Sequence, residues 1–350
     1  MQKLFLTLIF STFFAAFSFS QTRYQFYIYK TSFDEMIAMI KDEKPVDFKR
    51  AVFLVENAHY DNTFDYSKFC AEIDFHVEKI KQLIKAQPAD VQKFKTIKNW
   101  AIFVYMTTEL PENDYKPFLY DFDHFLQTEN AANGFVTKLL KTKKGNCQSL
   151  PYLYKILANE IGAEAYLAFA PMHCYIKHKD EEGKWRNIEL TNGSIARDVW
   201  IIQSSGVTAE QIASGLYMRA CSKKEHIAQC VADLMMSYDK RFMLDLLTLP
   251  MIDTALSYFP KNFLLLIQKI NSYDIFLRFE KKSKNPDNEL INSYTAKLNE
   301  TNKQLDDLGY VDGDLEKYKQ WAKTEGRKMN DEIQEKRRKE RMKQNAKNNK

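Results

Sequence analysis

Only 10 glycines and 9 prolines punctuate this 350-residue chain, and that scarcity limits its fold more than any other feature. Sheet-rich domains need turn residues every ten positions or so, so a chain this poor in them has to run in long uninterrupted elements, which favours helices. With 45% hydrophobic residues, among them 25 Phe and 19 Tyr, it can fill a sizeable core and is not a disordered chain. Apolar residues at helical spacing predict helices over 47–57, 66–84 and 91–106, with an aromatic, turn-rich loop over 111–123. Residues 136–200 differ in character. A short helix follows Gly134-Phe135, residues 141–144 form a polar break, and a long apolar helix starts at Gly145-Asn146-Cys147 and stops at Gly162. Alternating stretches over 165–170 and 173–177, a hairpin turn over 180–183 and a returning strand over 185–190 then predict an antiparallel sheet. From Thr208 onward the pattern is helical again. The expected class is α+β, mostly helical.

The two ends read differently from the body. Lys3, the apolar run Leu4–Phe19 and the small residues Ser18 and Ser20 form a signal-peptide pattern with cleavage before Gln21. The apolar run is shorter than the roughly 20 residues that span a bilayer. The expected location is therefore exported, periplasmic or secreted. Residues 327–350 carry ten Lys/Arg and four Asp/Glu, so the chain's net charge of +5 is concentrated in them. They are expected to form a solvated basic tail that folding does not need, with no nucleic-acid partner. The five cysteines (Cys70, Cys147, Cys174, Cys221 and Cys230) are few, widely spaced and odd in number, which is not a disulfide framework and leaves at least one thiol free.

Three short segments carry chemistry. Cys147 stands at the start of a helix, where unpaired N–H groups and the helix dipole favour a thiolate. His173 opens the second strand after Pro171 and could take and return the thiol proton. Glu189 lies on the next strand and could hold and charge-stabilise the imidazole; strand alternation puts Ile188 and Leu190 toward the core and Asn187 and Glu189 toward a cleft. A metal cluster of Cys147, His173, Cys174 and His178 is disfavoured, because Cys174 and His178 face away from His173 on a regular strand. No cofactor motif is present.

The pattern Gly145-x-Cys147-x-Ser149 before an apolar helix, Pro171-x-His173 on the next strand and Glu189 followed by Asn192-Gly193 resembles the transglutaminase-like superfamily. It is similar in particular to the bacterial branch with a SirB-type N-terminal domain and C-terminal tetratricopeptide-like helices. The resemblance implies a papain-like core, a Cys-bearing helix packed on an antiparallel sheet, with Cys147 as nucleophile, His173 as base and Glu189 as orienting acid. It departs from the family in having Glu for the usual Asp, and Met172 where the turn usually has a small residue. The Cys147 backbone N–H supplies one oxyanion donor; the second is left open among Asn146, Gln148, Asn192 and a side chain near Tyr120. The expected organisation is a signal peptide (1–20), a transglutaminase-like domain with a helical N-terminal part (21–205), a helical region (206–326) and the basic tail (327–350). Within the third, Ala255–Asn262 resembles the junction of two tetratricopeptide repeats, with Pro260 opening the second helix. The implied activity is hydrolysis of, or acyl transfer from, amide bonds of a peptide or protein substrate, with an envelope protein partner on the C-terminal helices. The alternative is an inactive peptide-binding or scaffold module of the same fold.

Overall fold

The computed structural model describes residues 24–243 and 248–348, without the side chains of 341 and 343–348; the signal-peptide pattern lies outside these residues. The elements run α1 (24–40), α2 (Phe48–His59), α3 (Tyr66–Lys85), α4 (Ile97–Thr107), β1 (Leu119–Tyr120), α5 (Val136–Thr142), β2 (Lys144–Gly145) and α6 (Ser149–Ile161). Four strands follow: β3 (Tyr166–Ala170), β4 (His173–Lys179), β5 (Trp185–Glu189) and β6 (Ser194–Ala196). The chain ends in α7 (Asp198–Ser205), α8 (Ala209–Ala213), α9 (Lys223–Phe242), α10 (Leu249–Tyr258), α11 (Phe263–Glu280), α12 (Asn288–Asp307), α13 (Leu315–Trp321) and α14 (Arg327–Asn348). The molecule is mostly helical, with a four-stranded antiparallel sheet β3-β4-β5-β6 and a short parallel pair β1-β2. Among the described residues no helix is long and apolar enough to cross a membrane.

Local chemistry explains most boundaries. Asp47 and Asp65 cap α2 and α3 by accepting the Arg50 N–H and the Ser67 and Lys68 N–H groups, as N-cap carboxylates do. The expected helix over 91–106 is broken: a single 3₁₀ turn at Val91–Lys93 ends in an extended Phe94, and α4 starts at Ile97. Gly162 ends α6 in the left-handed conformation, φ +68°, which glycine adopts without a Cβ clash. Pro260 does not open α11; Asn262 is its cap, accepting the Leu265 N–H.

α6 is buried along most of its length: Leu150, Leu153, Ile156, Leu157 and Ile161 are enclosed together with Tyr152 and Tyr154, and only Asn159 and Glu160 near its end are exposed. A helix of that kind has to be surrounded, and α2, α3, α4 and α5 pack on it from one side and β3 and β4 from the other. The sheet is enclosed on both faces. Leu167, Cys174, Ile176, Ile188 and Leu190 face the main core with α6, while Ala168, Ala170 and Tyr175 face a second core built with Ile201, Val207, Leu216 and Tyr217. The polar face read from the sequence as cleft-lining is therefore buried, with Asn187 and Glu189 at 2% and 1% exposure.

The basic tail corrects the expectation of a solvated end. α14 turns a narrow stripe (Met329, Asn330, Ile333, Gln334 and Arg337) toward the body, while the residues between them stay exposed. Arg337 donates to the backbone carbonyls of Thr107 and Gly193, Arg327 pairs with Asp123, and Arg338 pairs with Glu109. Only two residues of the stripe are apolar, so hydropathy did not reveal it.

Two carboxyls in the main core carry a pH dependence. Glu56 accepts the Val136 and Thr137 N–H groups at the start of α5 (2.6 and 2.9 Å), and Asp233 accepts the Tyr152 hydroxyl (2.6 Å). Burial pushes both acids up to about 7. Each holds its proton in the folded chain at a pH where the unfolded chain has released it, so their contribution is full below about pH 4 and is lost as pH rises to about 7. The thermal midpoint should fall across that window, and the double variant Glu56→Gln, Asp233→Asn should flatten the fall. Midpoints recorded at half-unit pH steps check it.

Candidate active site

The site forms where the start of α6 meets the turn of the β3–β4 hairpin. Asn146, rather than a helical residue, is the working cap of α6. Its Oδ1 accepts the Gln148 and Ser149 N–H groups (2.9 and 3.0 Å), and its Nδ2 donates to the Phe125 carbonyl (2.9 Å). Ser149 Oγ accepts the Asn146 N–H in return (2.9 Å). Cys147 thus stands two residues before the helix, inside a turn pinned by its neighbours, instead of within the first helical turn. Gly145 is needed there for space: a Cβ would collide with Ser149 Oγ and Leu139.

The β3–β4 connection has two residues, Pro171 and Met172, between the paired Ala170 and His173. Met172 adopts φ +54°, a conformation that disfavours any side chain larger than glycine. The strained turn aims the Met172 carbonyl at Cys147, whose Sγ donates to it at 3.6 Å. His173, the next residue, lies close enough to Cys147 to interact with it electrostatically. Its Nε2 lies 2.5 Å from Glu189 Oε2, which leaves Nδ1 for the thiol. Glu189 Oε1 accepts the Thr191 N–H at 2.8 Å. The structure thus brings Cys147, His173 and Glu189 together, with a hydrogen bond between His173 and Glu189 and the sulfur beside the ring.

Their electrostatics favour charge separation. Burial works against a protonated His173, but the Glu189 carboxylate and Cys147 outweigh it and raise the ring to about 10. Burial likewise works against ionised Glu189, but His173 and the Thr191 bonds hold it below the ordinary carboxylate value. The pair is therefore an imidazolium and a carboxylate at neutral pH. Its contribution to stability is present above the ordinary Glu value and full up to the ordinary His value, then lost as pH rises through about 10.

The other sequence candidates are placed differently. Asn146 is spent on capping. The Gln148 N–H is taken by Asn146, and its side chain turns beneath the helix, where Oε1 accepts from Gln127 Nε2 at 2.8 Å. Neither Asn146 nor Gln148 side chain faces the sulfur. Asn192 lies farther along, with Oδ1 accepting the Ser194 hydroxyl and Nδ2 directed at Met329 Sδ. It lines a cavity of about 290 Å³ that opens beside His173 and Glu189 between Met172, Trp200 and Trp321. Thr191 Oγ1 is buried at this cavity without a hydrogen-bond partner among the described residues. Cys174 points into the main core and His178 bonds the Lys179 carbonyl; among the described residues no group could hold a metal ion.

The sequence reading missed Tyr318. This α13 residue donates its hydroxyl to Cys147 Sγ at 3.7 Å and shares a 2.7 Å bond with the Tyr120 hydroxyl. It stands 171 residues from the cysteine, in a segment with no motif; an aromatic pair, Tyr318 and Trp321, on a short amphipathic helix was the only signal.

No protein-family model, curated protein or solved structure matches this chain.

If Glu189 sets the charge of His173, Glu189→Gln leaves burial opposed only by Cys147, and the ring should titrate well below 10. Ring-proton NMR against pH measures this directly, and Asn187→Ala, on the same strand face, should leave the His173 titration in place.

Proposed function

We propose that this protein is a thiol acyl-transfer enzyme of the transglutaminase-like type, with a papain-like core, acting on amide bonds of a peptide or protein substrate in the cell envelope. The observation that carries the reading is the grouping of Cys147, His173 and Glu189, in which a buried carboxylate bonds a charged imidazole that lies beside a half-buried thiol. In this reading Cys147 attacks the carbonyl, His173 returns the proton to the leaving amine, and the thioester passes to water or to a second amine. Glu189 fixes the ring and stabilises its positive form. The cavity beside His173 is of the size of a substrate side-chain pocket. Export rests on the signal-peptide pattern of residues 1–20.

Thiol reactivity tests it. Cys174, Cys221 and Cys230 are buried and their thiols are pushed up, Cys221 to about 12, so they should resist alkylation. Brief iodoacetamide treatment followed by peptide mapping should mark Cys147 first, with half-buried Cys70 as its rival. His173→Ala should slow Cys147 labelling by about tenfold or more. Preferential marking of Cys70, or no effect of His173→Ala, would remove the nucleophile assignment.

A further inference from the structure

The reaction proposed above needs two donors where negative charge gathers on the substrate oxygen. One is at hand: the Cys147 backbone N–H has no hydrogen-bond partner among the described residues. The sequence candidates for the second are occupied, as Asn146 and the Gln148 N–H are committed to the cap. The Met172 carbonyl, 3.6 Å from the sulfur, is an acceptor and would repel an oxyanion.

Resting on that reading, we infer that Tyr318 is a catalytic residue: its hydroxyl, delivered by α13 from the C-terminal part of the chain, is the second oxyanion donor. Its oxygen sits 3.7 Å from Cys147 Sγ and points its hydrogen at the sulfur. An oxyanion on a carbon bonded to that sulfur lies two bonds away, inside this shell, and such donors act at about 2.7–3.1 Å. Tyr120 donates to Tyr318 along their 2.7 Å contact whenever Tyr318 donates onward, and a chained donor is the stronger one. Burial and the neighbouring Cys147 hold the Tyr318 phenol well above its ordinary value, so it keeps its proton at neutral pH. The ring is fixed by edge contact with Phe125 and stacking on Trp321, so the donor is held in place before substrate arrives.

Two reagents separate this role from others. In acylation by 4-nitrophenyl acetate the Cys147 thiolate forms the S–C bond while the carbonyl pair moves onto oxygen, making the oxyanion. Collapse restores the carbonyl and expels 4-nitrophenolate with the C–O pair, leaving the thioester. In alkylation by iodoacetamide the sulfur displaces iodide and no oxyanion forms. In the full-length protein, Tyr318→Phe should slow Cys147 acylation by about 10²-fold and leave its alkylation within about twofold of wild type. Tyr120→Phe should give a smaller loss in acylation alone. Continued resistance of Cys174, Cys221 and Cys230 to alkylation certifies that each variant is folded. Equal loss in both reactions would make Tyr318 a structural or thiol-tuning residue, and a gain in both would make it a shield over the sulfur. Either outcome, or unchanged acylation, overturns the assignment while the thiol reading stands. If wild-type Cys147 reacts with neither reagent, the thiol reading falls and the inference with it.

Discussion

A carboxylate enclosed on every side has to be paired or protonated, because removing a charge from water costs several kcal/mol even after relaxation. Glu189 is 1% exposed at the edge of the cavity beside His173, and much of the local architecture follows from meeting that demand. His173 must be charged to pair with it, so the ring must sit at the first position of β4, across from the end of β5. The hairpin must then turn in two residues, which puts Met172 in a left-handed conformation and swings its carbonyl toward the sulfur. The Thr191 N–H must fold back onto the second carboxylate oxygen. Removal of Glu189 alone would take away the main support of the buried ring's charge, whereas the pair together is tolerated.

The cap on α6 does parallel work from the other side. A helix whose start is buried offers no water to its first N–H groups, so they need an internal acceptor. Asn146 supplies it and in doing so places Cys147 on the outside of the turn. Position and packing are thus one problem: the residue that satisfies the helix end also presents the thiol.

How much of this was legible depended on range. Helices with a clear apolar stripe, such as α2 and α3, and the hairpins of β3, β4 and β5 were readable because their signals lie within a dozen residues. Cys147, His173 and Glu189 were readable as a set because they fall within 43 positions on consecutive elements. The break before α4 was not, since Phe94 leaves the helix without a Gly or Pro to mark it. The double-sided burial of the sheet was hidden because Ala168, Ala170 and Tyr175 are small or amphipathic. The roles of Asn146 and Gln148 depend on where Phe125 and Gln127 come to lie. Tyr318 and the docked stripe of α14 depend on contacts across more than a hundred residues, which no local pattern encodes.

That separation has a consequence for the order of folding. The sheet and α6 are joined by contacts of short sequence span and can assemble early, whereas docking of α13 closes a loop of 171 residues, a slow and entropically costly event. A chain with its sheet and α6 assembled but α13 undocked would hold Cys147, His173 and Glu189 in register without the phenol. The sulfur's full set of neighbours therefore depends on a contact spanning 171 residues, and the integrity of the C-terminal helices bears directly on its surroundings.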